Sequence, residues 1–257
     1  MPENADRAPR HMLLELGFTV REDGQRLRGE ATLTPFLHVP GTSHLRTSVL
    51  AMWADQVAGL LAMRTMIPRV PVTLDLDVHL YRPAPGAGRV KAVGRTVKNG
   101  RSVYVCEVVF TDDAGQAFAI SSVSFMASPD ASLTAPALTS IDAPPASARL
   151  AMPLAVRAGL KRESAGLAIL PRSEDGLNSS NTVNGGLLAL CAEEAVLSLA
   201  LGDTLSSLSL RYLGPVRTGP AVALADLRSG LAQVEIRDSG REDRLAITAT
   251  ARTFARI

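Results

Sequence analysis

The chemistry-bearing residues cluster in one stretch. From Asn178 to Leu201 the chain reads NSSNTVNGGLLALCAEEAVLSLAL. Polar turn residues lead into Asn184-Gly185-Gly186 and then into a helix that is apolar except for Glu193 and Glu194. The first N–H groups of a helix have no intrahelical acceptor and sit at the positive end of its dipole. Glycine there lets a carbonyl oxygen or an anion approach closely, which is the requirement for stabilising a developing oxyanion. An acid on an otherwise apolar helix is costly unless it is paired or functional. A similar stretch lies earlier: Arg46 to Met63, RTSVLAMWADQVAGLLAM, with Asp55 as its acid. Each of these residues also has a plain structural use. Gly185-Gly186 suits close helix–strand packing, Asp55 can be a buried acid satisfied by nearby N–H groups, and Asn178 can be a turn or capping residue.

Elements at regular order must position these residues. Leu13 to Leu33 is predicted as a hairpin turning at Glu22-Asp23-Gly24, followed by a loop and a long helix from Leu45 to Met66 that stops near Pro68. Val72 to Tyr81 alternates strictly, with Leu74, Leu76, Val78 and Leu80 on one face, as a half-buried strand does. Strands at 88–98, 102–111 and 116–126 follow, with Asn99-Gly100 as a hairpin turn. Ser128 to Ala148 is rich in Pro, Ala and Ser and is predicted as an extended linker. The second half repeats the order: a strand pair within Met152–Leu170 turning at 163–166, a loop from Pro171 to Val183, the helix opened by Gly185, then strands at 205–213, 220–228, 231–237 and 244–255. The expected organisation is a first domain over 12–127, a linker over 128–148 and a second domain over 149–257. A helix apolar nearly all round must be enclosed, so each half is expected to curve an antiparallel sheet around its long helix, an α+β architecture.

The totals exclude several classes. In 257 residues, 46% are apolar, 20% charged and 4% aromatic, with a formal net charge of +2. Neither charge nor aromatic content favours nucleic acid. No apolar run is long and charge-free enough for a membrane span, and the acidic, proline-containing start is no signal peptide. Cys106 and Cys191 fall in different halves and read as small buried hydrophobes, consistent with a reducing cytoplasm. No His/Cys/Asp/Glu spacing indicates a metal site, and no Gly-Xaa-Ser-Xaa-Gly elbow indicates a serine hydrolase.

A loop, a Gly-Gly helix start, an acid two turns in, and a strand ending in a Tyr81-Arg82-Pro83 or Leu213-Gly214-Pro215 step together resemble the hotdog-fold acyl-CoA thioesterases, most closely the phenylacetic-acid-pathway type, here as a tandem double hotdog. The family motif of Asn, then His-Gly-Gly, then Asp or Glu falls on Asn178, Asn184-Gly185-Gly186 and Glu193. In the first half the same frame gives Pro40, Arg46-Thr47-Ser48 and Asp55; the histidine is replaced in both halves. The resemblance implies hydrolysis of an acyl-CoA to a carboxylate and free CoA, with no metal or redox cofactor, the Gly185 amide as oxyanion donor, a carboxylate as base or nucleophile, and Thr73 as a residue that positions water or the acid. A homo-oligomer is expected, and a non-catalytic acyl-CoA-binding or structural role is the alternative.

Gly185 and Glu193 are eight positions apart, about 12 Å along a helix, so one thioester carbon cannot touch both. In a pseudo-twofold pair the helices run antiparallel, and each helix start faces the other helix's acid. Site one then joins Asn178 and Gly185 to Asp55, and site two joins Arg46 and Thr47 to Glu193. Site one is expected to be the active one. Arg82, Arg211 and Arg217 flank the strand–turn steps where CoA phosphates would lie.

Overall fold

The structure, a computed structural model, describes residues 11–135 and 149–254. The calls made for the N-terminal ten residues and for positions 136–148 of the linker lie outside the described residues. Helices α1 (Thr47–Met66), α2 (Leu154–Arg157) and α3 (Gly185–Leu199) accompany twelve strands: β1 (Thr19–Asp23), β2 (Arg26–Thr32), β3 (Pro71–Leu80), β4 (Arg89–Asn99), β5 (Tyr104–Thr111), β6 (Ala117–Ala127), β7 (Lys161–Ser164), β8 (Leu167–Leu170), β9 (Leu205–Tyr212), β10 (Ala221–Arg228), β11 (Leu231–Asp238) and β12 (Arg244–Thr253).

All twelve strands form one antiparallel sheet in the order β1-β2-β4-β5-β6-β3-β9-β12-β11-β10-β8-β7. The order outward from the central β3–β9 pair is the same on both sides. That pair is in register from Asp75 opposite Arg211 to His79 opposite Ser207. Helix α1 packs on β2 to β6 and α3 on β7 to β12, and the two helices pack on each other. The first two turns of α1 and nearly all of α3 are buried on every side, which explains why neither shows a polar face. Trp53 lies in the core of α1, stacked on Phe18 with ring centroids 5.0 Å apart. A Cβ on Gly94 of β4 would come within 2.3 Å of Val57, so glycine there lets the sheet close onto α1.

Three local expectations are corrected. The start of the first hairpin arm is a 3-10 helix, Met12–Leu16, whose Met12 and Leu16 both turn into the core; Gly17, at φ 70°, ends it. Likewise the second half's first arm begins with α2. The Asn99-Gly100 turn is a four-residue connection, because Asn99 still pairs with Tyr104; its counterpart Ser229-Gly230 is a two-residue turn with φ of 49° and 76°, the type I′ geometry that suits a twisted hairpin. The start of the proposed linker is not a free extension. Ser128 N–H donates to Val70 O (2.8 Å), Ala135 N–H to Pro68 O (2.8 Å), and the Arg69 guanidinium donates to Ser128 O, pinning 128–135 across the α1–β3 connection.

One buried acid organises the loop after β9. Asp238 is fully buried and accepts the N–H groups of Arg217 (2.8 Å), Thr218 (3.1 Å) and Gly219 (2.6 Å). Burial pushes its carboxyl up, but the three N–H groups outweigh this and hold it below the usual range. Its contribution is therefore present above the ordinary carboxylate pKa and lost as pH falls through the lowered one. Asp238→Ala should cost roughly 3 kcal/mol, read as a lower urea midpoint at pH 7, with the difference from wild type shrinking in acid.

Candidate active site

A cavity of about 500 Å³ opens where the two halves meet. Its walls come from the middle of α1 (Asp55, Gly59, Met63), the start of β3 (Thr73, Leu74), the pinned 128–135 segment, the loop and first turn of α3 (Asn178 to Gly185), and the end of β9 with the loop beyond it (Tyr212 to Arg217). The lining is mostly apolar, including Met63, Phe125, Leu133 and Leu188, with a few polar groups, Asp55 and Thr73 among them. That is the composition of a small-molecule site.

Asp55 is enclosed by protein with one edge on the cavity. Its Oδ1 accepts the Thr73 hydroxyl at 2.9 Å. Burial raises its pKa to about 6, against the lowering effect of Thr73. Thr73 reaches it because β3 is bulged. Strict alternation with Leu76 and Val78 inside would turn Thr73 outward, but the register slips between Thr73 and Asp75, which places Thr73 opposite the buried Phe125. Leu74 is the extra residue, and the parity of the strand changes across it.

The first turn of α3 supplies the donor. Asn184 caps it: its Oδ1 accepts Gly186 N–H (2.8 Å), and its carbonyl accepts Leu187 N–H (3.0 Å) and Leu188 N–H (3.2 Å). Gly185 N–H has no acceptor among the described residues and lies at the cavity wall. Two bonds to the Asn184 carbonyl polarise the peptide that carries this N–H, which makes it a stronger donor. The Tyr212 hydroxyl donates to Gly185 O at 3.1 Å, and its ring lies 3.0–3.3 Å from where a Gly185 Cβ would stand. Burial and the neighbouring Asp55 charge push the Tyr212 phenol well above its ordinary pKa, so it remains a neutral donor. Tyr212 was not among the residues singled out from the sequence; its position at the strand end before Gly214-Pro215 was the available signal.

Asn178 also lines the cavity, but its Oδ1 is engaged locally by Ser180 N–H (2.9 Å), Thr182 N–H (3.2 Å) and the Thr182 hydroxyl (3.1 Å). It shapes the loop that carries Asn184. Of the three flanking arginines, only Arg217 reaches the cavity. Arg82 pairs with Asp112 at 2.6 Å, and Arg211 pairs with Asp75 and Asp77 at 3.2 and 2.8 Å. Met63 lines the cavity, Trp53 is core, and Met52 packs against Gly186. His44 Nδ1 is 3.0 Å from Ala84 O and outside the cavity wall.

Glu193 is elsewhere. It is fully buried, and its carboxylate fills the first turn of α1: Oε1 accepts Thr47 N–H (2.8 Å) and Ser48 N–H (3.3 Å), while Oε2 accepts the Ser48 hydroxyl (2.6 Å) and Arg46 (3.2 Å). Arg46 also lies 2.6 Å from Glu194, which pairs with Arg162 at 2.5 Å. So α1 and α3 are antiparallel, with Ser48 against Glu193 and Met52 against Gly186. Arg46, Thr47 and Glu193 do meet, but as a sealed joint with no place on the cavity wall.

Both cysteines are buried and free, with their thiols pushed up to about 12 by burial. Among the described residues no group of three or more His, Cys, Asp or Glu could hold a metal, and no helix is long and apolar enough to cross a membrane.

With this geometry in view, the thioesterase superfamily model matches residues 44–119, from the approach to α1 into β6. The fold is similar over nearly the whole chain to an acyl-ACP thioesterase from Bacteroides thetaiotaomicron (TM-score 0.63, 12% identity, 90% of this chain and 98% of that one). It is similarly close to the 12:0-ACP thioesterase from Umbellularia californica (TM-score 0.63, 13% identity, 91% and 99%). The fold is the hotdog-type thioesterase fold. At these identities the structural likeness establishes the hotdog architecture alone. No curated protein matches the sequence.

Asp55 and Asp238 are shifted in opposite directions, and Asp55 can be titrated directly. Its carboxyl ¹³C resonance should titrate near pH 6, and in Thr73→Val, which removes the hydroxyl that favours the charged form, at a higher pH. A folded-state pKa above the unfolded one means that stability declines as pH rises from about 4 to about 6. Asp55→Asn should therefore be more stable than wild type at pH 8, by on the order of 1–2 kcal/mol, with the gap closing below pH 5 in urea melts.

Proposed function

We propose that the chain is an acyl-CoA thioesterase built as a tandem double hotdog, with units over 12–127 and 149–257, and with one working site per chain. The observation that carries this reading is that one apolar cavity brings together a poised carboxylate from the first half, Asp55, and a free helix-terminal amide from the second, Gly185. The thioester carbonyl oxygen would accept Gly185 N–H at the positive end of α3, where negative charge develops as the carbonyl carbon is attacked. As base, Asp55 takes a proton from water as its oxygen bonds to that carbon. The tetrahedral intermediate collapses, the C–S bond breaks, and the thiolate leaves to be protonated, giving a carboxylic acid and the free thiol. As nucleophile, Asp55 would itself bond to the carbon and expel the thiolate, and water would then cleave the anhydride. Single turnover in H₂¹⁸O separates the two, because only the nucleophilic route can leave label in the Asp55 side chain.

Thr73 holds one Asp55 oxygen and leaves the other for the reaction. Asn178 and Tyr212 set the position of the α3 start. The apolar wall from Met63 to Leu133 suits an acyl chain, and Arg217 at the rim suits a carrier phosphate. The two ACP thioesterases of the same fold make the acyl carrier protein a second carrier to be tested.

The test is hydrolysis of a panel of acyl-CoA and acyl-ACP esters with a free-thiol readout. Asp55→Ala should lower kcat/KM by at least about 1000-fold. Glu193→Gln should lower the melting temperature and leave kcat/KM within a few-fold of wild type. Saturable binding of acyl-CoA without turnover by the wild type would replace the enzyme with a binding protein, and loss of hydrolysis in Glu193→Gln with retention in Asp55→Ala would overturn the assignment of the site.

A further inference from the structure

We propose that Gly59, one helical turn beyond Asp55 on α1, is the residue over which the acyl chain of the substrate passes, so that its missing side chain sets the length of acyl group the cavity accepts. That the ligand is a thioester rests on the function proposed above; that the cavity runs over Gly59 rests on the geometry.

Glycine in the interior of a helix is destabilising relative to alanine, because its backbone loses more freedom on folding. Gly59 stands well inside α1, which runs from Thr47 to Met66. Other glycines inside elements answer a packing need. A Cβ would come within 2.1 Å of Phe18 at Gly29, 2.3 Å of Val57 at Gly94 and 2.5 Å of Met52 at Gly186. Gly59 has no such need. The nearest atoms to its Cβ position, on the Phe125 ring, are 3.9 Å away, an ordinary van der Waals contact. The protein leaves room for a side chain there, and that room belongs to the cavity. Gly59 lies twelve positions after Thr47, and the residue twelve after Gly185 is Leu197, a full side chain buried in the core.

The order of residues along α1 gives the acyl chain its direction. Met52 packs against Gly186, so the α3 start lies on the N-terminal side of Asp55. Asp55, Gly59 and Met63 follow at four-residue spacing, which keeps them on one helix face, and all three line the cavity. A carbonyl held between the Gly185 N–H and Asp55 therefore has Gly59 and then Met63 beyond it. The wall at that end is apolar, with Phe125, Met126 and Leu133, whereas the wall beside the α3 start carries Ser179, Thr182 and Arg217. The first suits an acyl chain and the second a polar carrier arm. Asp55 to Gly59 is about 6 Å along the helix axis, the reach of roughly four or five carbons of an extended chain. An acetyl group ends short of Gly59, and an octanoyl group passes it.

The experiment uses the full-length chain with Gly59→Ala and Gly59→Leu. The probes are S-ethyl and S-octyl pantetheine thioethers, which carry the arm shared by CoA and the acyl carrier protein and cannot be hydrolysed; their Kd is read by calorimetry. Acetyl- and octanoyl-pantetheine are the matching thioesters, read by free thiol. The wild type should bind the octyl probe at least about tenfold more tightly than the ethyl probe. In Gly59→Leu that ratio should collapse to near unity, and the octanoyl-to-acetyl ratio of kcat/KM should fall at least about tenfold. Gly59→Ala should weaken octyl binding a few-fold while raising the melting temperature, a combination that a glycine of purely structural use does not give. An unchanged octyl-to-ethyl ratio in Gly59→Leu overturns the proposal, and so does a wild type without chain-length preference. If the wild type hydrolyses no thioester but Gly59→Leu abolishes its octyl preference, the enzymatic reading falls and the role of Gly59 stands. If Gly59→Leu does not fold, wild-type octyl binding in Gly59→Ala overturns the proposal.

Discussion

The carboxylate of Glu193, sunk into the first turn of α1, is the constraint on which the rest depends. Glu194 and Arg46 are removed from water beside it, a desolvation cost of several kcal/mol per ion. That arrangement persists because the carboxylate accepts two backbone N–H groups, a hydroxyl and a guanidinium, while Arg162 attends Glu194. Removing any one partner leaves a buried charge exposed to a low-dielectric interior, so the joint tolerates little movement. It fixes the offset between α1 and α3, and the same offset brings Asp55 and the α3 start to one cavity.

The two ends differ in a few residues at corresponding places of a matched strand order. Strand order repeats outward from β3 and β9, and each long helix is wrapped by its own half of the sheet. At one end Arg46-Thr47-Ser48 receives a long acid and forms a strut. At the other, Asn184-Gly185-Gly186 faces a short acid and leaves an amide free. Tyr212 packs on the open end, where a Gly185 Cβ would stand only 3.0–3.3 Å from it, so the packing reading of the glycine is compatible with the oxyanion role proposed for it.

What was legible in the sequence was what periodicity and turn chemistry control. Alternation located β3 and β9, apolar runs located α1 and α3, and Ser229-Gly230 turned where its residues favour turning. What was not legible depended on contacts distant in sequence. The facing direction of Thr73 depends on a bulge at Leu74 that pure alternation hides. Asn178 matches a motif position, yet its side chain is spent on Ser180 and Thr182. Glu193 matches the motif acid, yet its partner lies 145 to 147 residues away, and only that pairing shows it to be a strut. Tyr212 carried no reading of its own in the sequence, because its hydroxyl meets Gly185 across 27 residues.

Asp55 and Asp238 show how one residue type is set to opposite tasks by its surroundings. Both are taken out of bulk water, and in both burial raises the pKa. Asp238 accepts three backbone N–H groups and ends below the normal range, a charge fully answered and of no further chemical use. Asp55 accepts one hydroxyl and ends near 6, a charge only partly answered. The unmet part is a cost to the folded state, and in the function proposed above it is what would let the carboxylate act as a base close to neutral pH. A fold that had satisfied Asp55 as completely as Asp238 or Glu193 would be more stable and would have closed the cavity to any carbonyl.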